Sequence, residues 1–365
     1  MPTLREAATD LRRVLGTLAA DFRHWMRPGA RTTDEWEAVV SVLLAIAAAH
    51  LLGARNIGWA AFSGYMVMRS RFSESLLRGS LRVIGTGLGA VAAWLLAPWI
   101  VDSTVWLSLI LGLVGWGTLY MALVGRRSYA WLFTGLTFAL VLIDGMEFPR
   151  EPLSAFAQSR FVEVFTGTLA AIAVSGLSAW TLRRHDTART PMTAAHPPLW
   201  HRPAFLHAMQ GGVAIALIPW FWRVAGVVEL GQSSTTILAV MMVPLASLAS
   251  GGTTSQKLMH RVIGCTAGGL IASAILLAVH PWPWVLLLAV AVGVAVGRHI
   301  ESGSHGLNYV GTQFVLAFLV VLVPDSYDHA DFRPGLERLA GILFGMLLLE
   351  PVRLVSRRII ALRKR

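Results

Sequence analysis

The chain has 365 residues, 55% of them hydrophobic and 14% charged, with formal net charge +11 and mean hydropathy +0.61. A soluble domain carries about 25% charged residues, so the composition excludes an ordinary soluble fold. Apolar segments long enough to span a bilayer recur from Trp36 to Leu349, which makes the chain an all-α polytopic membrane protein.

Met1–Glu35 is charged and lacks a continuous apolar core, so no signal peptide is expected there. Leu4, Leu11, Leu15, Leu18, Phe22 and Trp25 recur at helical spacing among Arg5, Arg12, Arg13 and Arg23. Residues 1–35 therefore read as a cytoplasmic amphipathic segment, lying on the anionic inner leaflet or on the protein's own cytoplasmic face. A first six-helix membrane repeat occupies residues 36–182, with spans near 36–53, 57–68, 80–100, 104–124, 129–144 and 157–181. The polar, proline-rich stretch 183–203 is a cytoplasmic linker. A second six-helix repeat fills 204–352, with spans near 204–222, 235–250, 261–279, 282–297, 305–323 and 338–352, and 353–365 is a basic tail.

With the N-terminus inside, the outer segments keep only Arg55, Arg150, Arg160, Arg223, Arg333 and Arg338, and every other basic residue lies in or beside a cytoplasmic segment. That bias is the positive-inside rule, and it predicts about twelve spans with both termini cytoplasmic. The positive charge thus reports topology, and no nucleic-acid partner is needed to explain it. All but two of the 31 basic residues are arginine, a composition that fits a GC-rich bacterial source. Trp59, Trp94, Trp99, Trp282 and Trp284 fall near predicted span ends, as an interfacial belt requires.

Two octapeptides are nearly identical: RVIGTGLG at Arg82–Gly89 and RVIGCTAG at Arg261–Gly268. Tyr129 pairs with Tyr309 and Phe138 with Phe318 at a similar offset. Six spans per half is an even number, so the halves should be parallel repeats related by an axis along the membrane normal. The pattern R-x-x-[G/E]-x-x-x-G recurs at half the period, in Arg160–Gly167 and Arg338–Gly345. An element repeated every three spans alternates in direction, which is the arithmetic of 3+3 inverted repeats. The glycines Gly85, Gly89, Gly167, Gly264, Gly268, Gly341 and Gly345 form small-xxx-small faces for helix packing. The arginines read either as interfacial anchors or as groups that attract an anionic substrate.

Two stretches resemble a known family: YMVMRSRFSESLLRGSLRVIGTGLGA and, more loosely, MVPLASLASGGTTSQKLMHRVIGCTAGG. They are similar to the fusaric acid resistance and aromatic acid exporter family, with plant aluminium-activated malate channels as distant relatives. The resemblance implies an inner-membrane efflux transporter for aromatic or hydrophobic organic acids, commonly proton-driven and paired with a periplasmic adaptor and outer-membrane channel. Large cytoplasmic domains follow each six-helix block in many members of that family, and here only short stretches do, so the chain reads as a minimal form. A homo-oligomer is compatible with this plan.

Charged and polar groups inside spans are functional candidates by default. Glu163 takes the place that glycine holds in the other three motif copies, one turn beyond Arg160; it reads as a proton-coupling carboxylate or as an i, i+3 ion pair with Arg160. Arg82 and Arg261, at the start of spans three and nine, face the cytoplasmic side where an exported anion is captured. Tyr309, Thr312 and Gln313 make a polar face on span eleven, joined by His305 if the helix extends back to Glu301. Tyr129, Thr134 and Thr137 are the weaker counterpart in span five. These faces suit substrate binding or interhelical hydrogen bonds. His50, Asp144, Glu229 and Glu350 lie near span ends, where interfacial solvation is expected.

No motif for an enzyme is present: there is no H-E-x-x-H, G-x-S-x-G or phosphate loop, and HIESGSH at His299–His305 lacks zincin spacing. Neither a cofactor nor a metal is expected. The sole cysteine, Cys265, lies in an apolar run and reads as a buried structural thiol. The sequence therefore points to a proton-antiporting exporter of organic anions, with a passive anion channel and a membrane scaffold for an envelope complex as the alternatives.

Overall fold

A computed structural model describes residues 16, 22, 25, 29–183, 200–226, 231–248, 252–279, 282–303, 306–323 and 333–362. Most of the N-terminal amphipathic segment, the middle of the 183–203 linker, Glu229 and His305 lie outside the described residues.

Every regular element among the described residues is helical. In the first half these are α1 (Ala30–Leu51), α2 (Ile57–Val67), α3 (Phe72–Ile100), α4 (Thr104–Val124), α5 (Ser128–Glu147) and α6 (Leu153–Thr181). The second half contributes α7 (Arg202–Ala216), α8 (Ile218–Ala225), α9 (Gly231–Met241), α10 (Gly252–Ala278), α11 (Pro283–Ser302), α12 (Asn308–Leu322) and α13 (Arg333–Leu362). Ser103 caps α4, its hydroxyl accepting from the Trp106 amide, and His201 caps α7 through Nδ1. Eight helical runs are long and apolar enough to cross a membrane: α3, α4, α5, α6, the combined α7–α8 run, α10, α11 and α13. Shorter apolar helices are α2 and α12.

Several boundaries differ from the sequence reading. Helix α3 begins at Phe72 and α10 at Gly252, well before the apolar runs that set the predicted starts at 80 and 261. The motif arginines are therefore interior to their helices and do not sit at helix starts. Helix α9 ends at Met241 instead of near 250. Pro244 follows in extended conformation and disfavours helix at the residue before it, and only a 3₁₀ turn, Leu245–Ser247, continues the run.

At a rise of 1.5 Å per residue, the 11-residue helix α2 and the 11 described residues of α9 are each about 16 Å long, roughly half of a 30 Å hydrocarbon core. Non-helical backbone at that depth is tolerated only inside protein, and Met68, which follows α2, is fully buried.

Helix packing follows one plan in both halves. Helix α3 lies along α5 as α10 lies along α12; α2 packs on α6 as α9 packs on α13; α4 meets α7 as α11 meets α1. The motif glycines permit these approaches. A methyl group on Gly85 or Gly89 would collide with the carbonyl oxygens of Ala130 and Thr134, and one on Gly264 or Gly268 with those of Val310 and Phe314. Gly167 meets Ala60 of α2 in the same way, and Gly345 sits on Ser233 of α9. Two apolar cores result. One joins α3, α4 and α5 to α7, α9 and α13; the other joins α1 and α2 to α10, α11 and α12.

Candidate functional site

Arg82 lies ten residues into α3, about 15 Å along the axis, and its side chain is covered by protein (1% exposed). Its Nη1 donates to the Tyr129 hydroxyl at 3.2 Å and its Nη2 to Ser63 Oγ at 3.1 Å. The guanidinium lies over the Phe133 ring, 4.1 Å from its centroid. One turn earlier, Arg78 covers the Tyr129 ring at 4.2 Å.

The second half repeats the arrangement with other residues. Arg261 is 2% exposed; its Nε donates to Thr236 Oγ1 at 3.1 Å, and its Nη1 to Gln313 Oε1 at 2.9 Å and to the Tyr309 hydroxyl at 3.4 Å. One turn earlier, Lys257 stands 5.1 Å from the Tyr309 ring centroid and donates to the Met242 carbonyl. Ser63 belongs to α2 and Thr236 to α9, so each buried guanidinium grips one of the two short helices. Short helices at corresponding places in two halves are a recurring mark of a transporter's binding region.

Burial by protein leaves Arg82 and Arg261 no route to lipid headgroups, so they are not interfacial anchors.

Arg338 is also buried, with its guanidinium over the Phe62 ring at 5.1 Å and Nη1 donating to Gln232 Oε1 at 3.5 Å. Among the described residues, Arg78, Arg82, Lys257, Arg261 and Arg338 make no ion pair with a carboxylate. Nε of Arg78, Arg82 and Arg338 and Nη2 of Arg261 and Arg338 have no hydrogen-bond acceptor. A buried cation without a counter-charge costs several kcal/mol. Arg82, Arg261 and Arg338 are buried and Arg78 and Lys257 are half-buried beside them, which makes the interior anion-seeking.

The carboxylates are engaged elsewhere. Glu163 is fully buried and accepts from Ser159 Oγ and from Arg160 Nη1 at 3.4 Å, while Arg160 Nη2 reaches Asp144 at 3.5 Å. Asp144 is thus ion-paired, and interfacial solvation does not describe it. Arg160 also covers the Trp59 ring at 4.5 Å, which draws Trp59 inward from the expected belt, whereas Trp94, Trp99, Trp282 and Trp284 are exposed as that belt requires. Glu350, likewise expected to be solvated, pairs with Arg353. Glu301 accepts from the Tyr65 hydroxyl and pairs with Arg298 at 3.2 Å and Arg69 at 3.7 Å, clamping the end of α2 to α11. Glu35 meets His299 at 2.7 Å, and Glu37 meets Arg183 at 2.8 Å.

Of the sequence candidates, Tyr129, Tyr309 and Gln313 come together with the arginines. Thr312 instead bonds back to the Asn308 carbonyl at 3.1 Å, a local contact within α12. Helix α12 starts at Asn308 and Glu301 belongs to α11, and His305 lies outside the described residues. Cys265 is buried as expected, its thiol 3.6 Å from Gln313 Oε1.

A profile of the fusaric acid resistance protein-like family matches residues 44–174 and 213–349. The chain belongs to this family. Both matched stretches contain a short helix, the buried arginine and the tyrosine that it meets, so this chain carries the geometry once in each matched stretch. Comparison with curated proteins and with solved structures returns no match. Sequence reasoning missed Arg78, Lys257, Ser63 and Thr236. The i, i+4 spacing of Arg78 and Arg82, and of Lys257 and Arg261, carried a readable signal for the first two. Nothing local distinguishes Ser63 or Thr236 from other small hydroxyls in apolar runs.

Proposed function

We propose that the chain is a secondary-active exporter of aromatic or hydrophobic organic acids across a bacterial inner membrane, working by proton antiport. Twelve spans, counting α1, α2, α9 and α12 with the eight long runs, give two parallel six-span halves with both termini cytoplasmic. The correspondence of helix packing between the halves supports that count. The buried Arg82, Arg261 and Arg338 and the half-buried Arg78 and Lys257, without carboxylate partners among the described residues, carry the functional reading.

A substrate carboxylate supplies the missing negative charge, and Arg82 and Arg261 offer it planar, multi-donor contacts. The hydroxyls of Ser63, Thr236, Tyr129 and Tyr309 hold the guanidinium groups in place. Phe133 and the two tyrosines give an aromatic ring apolar surface beside the charge. Proton coupling falls to Asp144, Arg160 and Glu163. Two carboxylates around one guanidinium leave a net negative charge when both are ionised, and one proton neutralises the group. The family's usual partners, a periplasmic adaptor and outer-membrane channel, extend the route beyond the membrane.

Bacteria lacking their own fusaric acid export, and expressing this chain, should grow at fusaric acid concentrations that stop the parent strain. Cells expressing Arg82→Gln at equal protein level should not. Equal growth of parent and expressing cells would remove fusaric acid from the substrate range, and equal protection by Arg82→Gln would remove Arg82 from the route.

A further inference from the structure

The four motif copies differ in how their arginine is neutralised. Arg160 has a carboxylate one turn on, in Glu163, and a second in Asp144. In Arg338–Gly345 the place of Glu163 is taken by Gly341, so Arg338 has no such partner on its own helix. Phe62 covers one face of the Arg338 guanidinium and Gln232 accepts from Nη1. Nε and Nη2, on the remaining edge, are buried without an acceptor.

Arg261 also has a buried donor without an acceptor, Nη2. Cys265, one turn beyond Arg261, packs with Ala317 of α12 and Ile342 of α13, and Ile342 is one turn beyond Arg338. Gln313 Oε1 accepts from Arg261 Nη1 and lies 3.6 Å from the Cys265 thiol. Val262 and Met346 complete apolar surroundings, where charge is weakly screened. Guanidinium groups that each stand one turn from this shared Cys265–Ile342 contact repel each other unless an anion lies between them.

We infer that Arg261 and Arg338 form, around Cys265, a binding site for a monovalent anion that exists in the second half alone. In the first half the internal carboxylates Glu163 and Asp144 do the corresponding work. The ligand chemistry is a single negative charge with hydrogen-bond acceptors: chloride, or the carboxylate head of an organic acid. The inference shares with the exporter reading the role of Arg261 as an anion-facing group. It requires no transport, so a chain that binds anions yet carries no flux would sink the exporter reading alone.

The test is thermal unfolding of the full chain purified in detergent, titrated with sodium chloride or sodium benzoate against sodium gluconate at equal ionic strength. Ligand at about ten times its Kd should raise the midpoint by roughly 2–4 °C and then saturate. A response to chloride alone identifies a resident inorganic anion, and a response to benzoate identifies an organic carboxylate head. Arg338→Gln should lose the anion-specific rise. If Arg338→Gln does not fold, Gly341→Glu serves instead: it installs the carboxylate of the first half beside Arg338, and should fold while losing the same rise. Identical midpoints in chloride, benzoate and gluconate for the unmodified chain would overturn the inference, as would a full response in Arg338→Gln or Gly341→Glu.

Discussion

Arg82 and Arg261 each donate through more than one nitrogen, to Ser63 and Tyr129 in one half and to Thr236, Tyr309 and Gln313 in the other. Lysine keeps the charge but replaces a planar fork with one compact ammonium. Arg82→Lys and Arg261→Lys should therefore raise the apparent substrate KM about tenfold, the equivalent of ~1.4 kcal/mol, with protein yield little changed. Uptake kinetics beside immunoblots of the membrane fraction check this, and an unchanged KM in both variants would take the arginines out of the binding site. Glu163→Gln should abolish transport driven by a pH gradient while leaving substrate binding measurable by thermal shift, because an amide keeps the size and one accepting oxygen but cannot take up or release a proton. Wild-type gradient-driven rates in that variant would reduce Glu163 to an ion-pair partner of Arg160. At this scale Tyr129, Tyr309, Gln313, Arg160 and Glu163 stand out in the sequence as candidates, since each is a polar group in an apolar run, and the structure places each in a contact with a buried or half-buried partner. Asp144 was read as solvated because its partner comes from another helix, and that pairing is visible only in three dimensions.

Helix identity was legible from hydropathy, whereas helix ends were not. Phe72–Gly79 contains Glu74 and Arg78 and is too polar to register as membrane span, yet its backbone continues straight into the apolar run. The opposite error occurred after Met241, where an apolar run persists but Pro244 stops the helix. That difference matters, because it turns α9 into the short counterpart of α2. The packing of α10 on α12 offers a paired test of close approach. A methyl on Gly268 strikes the Phe314 backbone, whereas the adjacent Gly269 has nothing within 4 Å. Gly268→Ala should cost about 1–3 kcal/mol by overpacking, seen as a lower unfolding midpoint. Gly269→Ala should be neutral or slightly stabilising through helix propensity. Equal midpoints for the two variants would mean that α10 and α12 do not meet along this face.

For the whole molecule, the two halves share a packing plan but not a charge plan. Carboxylates neutralise Arg160 in the first half, and among the described residues none neutralises Arg338 in the second. On the exporter reading, protons act in one half while anion-seeking cations occupy both, which is the division that antiport needs. The most direct measurement is flux of labelled fusaric acid in proteoliposomes under an imposed pH gradient, compared with protein-free vesicles because the neutral acid crosses lipid unaided. Proteoliposomes should carry the acid faster than bare vesicles and against its electrochemical gradient, and a protonophore or Glu163→Gln should return them to the bare-vesicle rate. Flux that exceeds bare vesicles but ignores the gradient would make the protein a passive anion channel. Flux equal to that of bare vesicles would contradict transport altogether.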